Sequence, residues 1–159
     1  MENNDPDGMS RIRVQFPWQK PLGEMTPWLR MMTPHAGSDK GFHFIPEIDE
    51  EDIVNFEGGN AERPFVAGTL YHGSAKAGSW QTSTNDVKAI RTRSGHLIEL
   101  NDTNGAEMIT VTDKKGNHFI IDTASEIISI NALKDISINA GENIPVSYTH
   151  LTLPTIYSV

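Results

Sequence analysis

The sequence is short of several things. It has no cysteine. That excludes a disulfide framework, a thiolate metal site and a cysteine nucleophile. It has no run of about 18 apolar residues, the length a membrane-spanning helix needs. It is poor in positive charge, with 13 Lys and Arg against 21 Asp and Glu and a formal charge of -8. Surfaces that coat nucleic acid draw their affinity from Lys and Arg on phosphates, so that class is disfavoured. The opening M-E-N-N-D-P-D-G-M is acidic and polar, unlike a secretory signal peptide. The 159 residues suffice for one domain with an appendage.

What is present is a repeat. Residues 119–144 realign on themselves at a spacing of eight. Ile120, Ile128, Ile136 and Ile144 fall in one column, and Ile130 and Ile138 in another behind Asp122. Ser129 and Ser137, Asn131 and Asn139, and Ala124, Ala132 and Ala140 form three more. Inside each unit, apolar and polar residues alternate, the signature of a strand with one buried face. Short strands joined by small-residue corners predict a stacked β-repeat. Each strand would expose an isoleucine row and open backbone edges. Three chains wound about one axis would bury the rows and pair the edges. The expectation is an obligate homotrimer, with Ile120, Ile128, Ile130, Ile136, Ile138 and Ile144 in its core. A hairpin or sheet edge in a monomeric domain is the competing reading.

The chain divides as follows. Residues 1–8 read as a turn-rich linker remnant. Residues 9–73 predict a small barrel, with strand candidates at 11–16, 28–32, 42–45, 53–56 and 65–71, punctuated by Pro and Gly. Five short strands without a helix signal fit an OB-type barrel, with an SH3-like barrel as runner-up. Residues 74–95 are small and polar, a linker or crossover, with Trp80 the exception. Residues 96–144 carry the β-segment. Residues 145–159 break the repeat. Val146 to Thr155 resemble the translation of a sequencing-library adapter, so this tail is expected to be non-native and is left out of the fold.

Candidate chemistry is sparse. The six histidines show no HxH or HExxH spacing. Gly37-Ser38-Asp39-Lys40-Gly41 lacks the full Walker spacing and reads as a tight strand connection. The acidic run at residues 47–52 reads as solvated surface rather than a carboxylate pair for glycoside hydrolysis. No catalytic residue, metal or cofactor is expected. Residues 9–73 hold six basic and nine acidic residues, the wrong field for a single-strand groove. Trp18, Trp28 and Phe16 therefore read as core and subunit contacts.

Three stretches carry a resemblance. R-I-R-V-Q-F-P-W, then W-L-R-M-M-T-P-H-A-G-S-D-K-G-F-H-F-I-P-E-I, then F-E-G-G-N-A-E-R-P-F-V-A-G-T-L-Y-H-G resemble the OB domain of the VgrG family. Lys88 to Gly105 resembles that family's passage from barrel to β-helix. VgrG proteins are tip spikes of the bacterial type VI secretion system, similar to the central spike of contractile phage tails. The resemblance implies an all-β fold, an OB-type barrel followed by the start of a trimeric triple-stranded β-helix. It implies a non-enzymatic spike that caps an inner tube, contacts its ring protein, carries tip and effector proteins and pierces a target membrane mechanically. It implies assembly in the cytoplasm and export by the machine itself, without a signal peptide. Ser10 departs from the family's usual glycine, and Asp49, Asp52 and Asn55 stand where glycine or an apolar residue is more usual. Asp52, pointing inward from a strand, would carry a desolvation cost. A nucleic-acid or carbohydrate-binding OB module is the alternative. A phage tail spike of the same architecture is another.

Overall fold

The computed structural model describes residues 1–147. The described residues are all-β, with three single-turn 3-10 segments and no α-helix. Two compact units divide at Met1–Gly78 and Ser79–Val159.

Unit 1 holds five strands: β1 (Arg30–Met31), β2 (Ala36–Gly37), β3 (Lys40–Gly41), β4 (Asp52–Phe56) and β5 (Pro64–Thr69). β5 lies centrally, parallel to β1 and antiparallel to β4. The 11–16 stretch, expected as a strand, makes single bridges only: Glu2 with Arg13 and Ile12 with Leu29. Its continuation is stopped by Pro17, which has no N–H to donate. The 42–45 candidate is no strand; the chain pairs one step earlier, at Lys40 and Gly41. Gly41 sits at φ 126, and a Cβ there would lie 2.3 Å from the His35 carbonyl oxygen. Only glycine fits that hairpin.

The core of unit 1 is small. Ile12, Val14, Leu29 and Val66 are buried, and Met1, Phe16, Met31, Ile45 and Val54 pack around them. Residues 1–8 are therefore no linker remnant. Met1 packs on the core, Glu2 exchanges backbone hydrogen bonds with Arg13, and Asn3 Nδ2 donates to the Pro46 carbonyl at 2.9 Å. Asp5 closes the turn. Its carboxylate accepts from the backbone N–H groups of Asp7, Met9 and Arg11 and from the Arg11 guanidinium at 2.8–2.9 Å. The Arg11 guanidinium holds the Asp5 carboxyl well below the usual carboxylate range. Turn residues that look like a disordered lead-in on composition are thus ordered by one carboxylate that caps three amides.

The departures from the family's residues have visible consequences. Ser10 and Asp49 both hold positive φ, 56° and 71°. Left-handed backbone costs an L-residue about 1–2 kcal/mol, and glycine gives back part of that gain as chain entropy. Ser10→Gly should therefore stabilise the chain by about 0.5–1 kcal/mol, read from urea midpoints at unchanged m-value. Asp52 shares a strand side with Val54, which packs on the core. Both Asp52 oxygens are sealed from solvent without a hydrogen-bond partner. Burial, with the Glu50 charge beside it, pushes the Asp52 carboxyl up to about 6, and the Met1 amine offsets part of that. Folding thus favours the protonated acid. Asp52 costs nothing below the ordinary range near about 4, and costs stability progressively as pH rises through about 6. Asp52→Asn should raise the melting temperature at pH 7.5 and leave it unchanged at pH 4. An equal shift at both values would remove ionisation as the cause.

Unit 2 is one antiparallel meander of five strands: β6 (Val87–Arg91), β7 (Leu97–Asn101), β8 (Met108–Thr112), β9 (His118–Asp122) and β10 (Ile127–Asn131). β6 lies inside the 74–95 stretch expected as linker, so that stretch is in part a strand. The turns follow the sequence. Asp113 Oδ1 accepts from the N–H groups of Lys115 and Asn117, and Gly116 holds φ 97. Trp80 lies under the Arg91 guanidinium, 4.9 Å from ring centroid to Cζ. Residues 132–147 form no strand. The rest of the 145–159 stretch, residues 148–159, lies outside the described residues.

Candidate assembly surface

The strand registers of the meander decide which side chains share a face, because paired residues point the same way and neighbours along a strand alternate. Ile90 pairs with Ile98, Ile98 with Val111, Val111 with Phe119, and Phe119 with Ile130. Two residues along, Lys88, Leu100, Ile109, Ile121 and Ile128 form a parallel row on the same face. Nine of these ten positions are apolar. The opposite face is mixed: Glu99, Thr110, Thr112, Ser129 and Asn131 share it with Leu97, Met108, Ile120 and Ile127.

The exposure is inverted relative to an ordinary half-buried sheet. Ile98 and Leu100 are exposed while Glu99 between them is half-buried. Ile109 and Val111 are exposed while Thr110 is half-buried. On β10, Ile128 is 68% exposed and Ile130 57%, with Ser129 half-buried between them. Water at an apolar face of this breadth is unfavourable by about 25 cal/mol per Å². Contiguous patches of this kind on soluble chains mark contact surfaces.

The six isoleucines singled out from the repeat do not share one environment. Ile128 and Ile130 lie on the apolar face. Ile120 pairs with Ser129 and so lies on the opposite face; Ile121 takes the place beside Ile128. The single column of the repeat is corrected on this point. Ile136, Ile138 and Ile144 lie beyond β10, outside any strand and exposed. The pentapeptide Ile128-Ser129-Ile130-Asn131-Ala132 recurs letter for letter at 136–140. Its first copy reaches into β10 and its second pairs with nothing described. The faces themselves are a signal the eightfold alignment missed. Alternation in β7 and β8 (Leu97 to Asn101, Met108 to Thr112) already marks Ile98, Leu100, Ile109 and Val111.

Chemical groups do not gather. Among the described residues no three His, Asp or Glu side chains are placed to hold a metal. Ser10 Oγ lies 3.3 Å from His43 Nδ1, at the surface of unit 1. No described helix is long and apolar enough to cross a membrane.

Residues 1–71 match the family described as the type VI secretion system/phage-baseplate injector OB domain. The chain is VgrG-like. It is 27% identical over 132 residues to the type VI secretion system spike protein VgrG3 of Vibrio cholerae serotype O1, covering 81% of this chain and 12% of that protein. It is 26% identical over 138 residues to the spike protein VgrG4b of Pseudomonas aeruginosa, covering 85% of this chain and 16% of the relative. The actin cross-linking toxin VgrG1 of Vibrio cholerae serotype O1 is 35% identical over 69 residues, 42% of this chain and 6% of its own length. The chain thus spans a small part of each VgrG relative. The two longer VgrG matches, at 81% and 85% of this chain, reach past the 78 residues of unit 1 into the meander.

Proposed function

We propose that the chain is part of a homotrimeric spike in a contractile injection machine of the type VI secretion kind. One observation carries the reading: the meander exposes Ile90, Ile98, Leu100, Ile109, Val111, Ile128 and Ile130 together on one face, while most of the mixed opposite face is half-buried. A surface so arranged is complete only against other copies. The VgrG resemblance supports the number three. In this reading the trimer caps the inner tube and touches its ring protein. It carries effector proteins at its tip and is driven through a target envelope by the machine. It is assembled in the cytoplasm and leaves with the machine. In this reading the stretch acts by stiffness and not by reaction. Backbone ladders and packed apolar rows resist bending without any reactive side chain. Single-stranded nucleic acid is not a proposed partner, since acidic residues outnumber basic ones in residues 9–73.

Sedimentation equilibrium tests the assembly. The expected mass is three times the chain mass of 17.6 kDa. A single-chain mass at every concentration reached would overturn it.

A further inference from the structure

Unit 1 presents a second feature that the meander does not explain. Residues 16–24 form a loop built to be rigid. Gln19 Oε1 accepts from the Phe16 N–H at 3.1 Å, and the Gln19 and Lys20 N–H groups donate back to the Phe16 carbonyl at 2.9 and 3.2 Å. Leu22 and Glu24 N–H groups both donate to the Gln19 carbonyl, and Gln15 Nε2 closes the loop on the Glu24 carbonyl at 3.0 Å. What this loop displays is apolar. Trp18 is 70% exposed and Leu22 73%. The Trp18 ring stacks flat on Phe16 at 4.4 Å between centroids. One face of the indole is spent on that stack, and the rest is left in water. Pre-organised aromatic side chains of this kind are what binding surfaces use as anchors.

The same unit carries a cleft of about 560 Å³. Pro27, Trp28 and Pro64 form its apolar lining, and Arg30, Glu62 and Arg63 stand on it. Arg30 is paired with Glu57. Glu62, Arg63 and, on the loop, Lys20 carry no ion pair among the described residues. Trp18 does not line the cleft, so the chain does not fill it with its own loop. The volume falls in the range that accepts a small organic group. The chemistry is complementary to the loop in two ways. A guanidinium such as Arg63 is attracted to the face of an indole. The Glu62 carboxylate is attracted to the Lys20 ammonium.

Resting on the trimeric reading above, we infer that the loop at residues 16–24 of one copy seats Trp18 in the Trp28 cleft of a second copy. Knob and cleft are different patches of one surface, so the contact is heterologous. Heterologous contacts form a closed ring when the rotation between copies closes, here after three. The barrel units would thus be locked to one another independently of the meander face.

The absence of cysteine makes the test specific, because only introduced thiols can link. A chain carrying Pro17→Cys beside the knob and Ala61→Cys at the cleft is assembled and oxidised with glutathione disulfide. Paired thiols need Cα atoms within about 7 Å. The expected result is a reducible covalent species of three chains as the largest product on a denaturing gel. Adding Trp18→Ala should slow its formation at least about tenfold. Far-UV circular dichroism of that variant should match its parent's and its melting temperature should fall only slightly, because Trp18 is 70% exposed and gives up one ring stack. Linkage unaffected by Trp18→Ala would overturn the inference. So would the absence of interchain linkage in a protein that sediments as a trimer, which would leave the spike reading standing. A ladder running past three chains would overturn ring closure. A wild-type chain that sediments as a monomer would remove both readings together.

Discussion

Replacing Ile128 by aspartate is expected to turn the assembled protein into single chains. Ile128 stands on the apolar face at the free edge of the meander, paired to Ile121 and followed by Ile130 on the same side. In a trimer three carboxylates would enter one dry interface, each without a cation beside it. Leaving a charge buried and unpaired costs about 3–5 kcal/mol, a loss of at least two decades in the assembly constant. The control is Ile127→Asp. Ile127 pairs with Asp122 and faces the other way, so its charge should leave the sedimentation mass unchanged. Equal masses for wild type and the Ile128 variant would show that this face is not the contact. Loss of assembly by both variants would point to a disrupted β10 instead of a face.

The second large effect belongs to unit 1. Ile12→Ala should cost about 2–5 kcal/mol and Ile12→Val about 0.5–1.5 kcal/mol. Ile12 is fully buried among only four buried apolar side chains, with Leu29 bridged to it through the backbone. A core of that size has little room to collapse around a cavity. Domains hold together by only about 5–15 kcal/mol in total. The alanine variant should therefore melt well below the parent, and near-UV circular dichroism should show unit 1 losing its fixed aromatic signal. An alanine variant with the parent's melting curve would mean that unit 1 is held by something other than this cluster.

Much of this was legible in the letters. Strands in residues 96–131 follow from alternation and from two turns rich in Asp, Asn and Gly. The 53–56 and 65–71 candidates became β4 and β5. Ser10, read as a departure from a family glycine, and Asp49, read where glycine or an apolar residue is more usual, both hold left-handed backbone. Asp52 was flagged by its place in a strand, and its carboxylate is indeed sealed in. The parallel pairing of β1 with β5 was not legible, because it joins residues 35 apart, such as Arg30 and Phe65, with no local signal. Nor was the order in residues 1–8, which depends on Asp5 meeting Arg11. Ile120 is the instructive miss. Positions eight apart stack when a chain winds in one direction with eight residues per turn. In the observed hairpin Asp122 faces Ile127, so Ile120 faces Ser129 and not Ile128. The repeat alone does not choose between winding and folding back, since both use the same alternation. The 136–140 copy makes the same point: identical letters to those that close β10, without a neighbour to bond.

The anchoring of the first residues has a mechanical corollary. Met1 sits against the hydrophobic cluster and Glu2 exchanges two backbone hydrogen bonds with Arg13, so the first residues are held by unit 1 and not slack. Any segment joined ahead of Met1, natural or a purification tag, would be coupled to unit 1 like a rod to a bearing. A pull on it would be felt first at the Glu2–Arg13 bridge, and a bulky fusion there would lower the stability of unit 1 before any loop could absorb it.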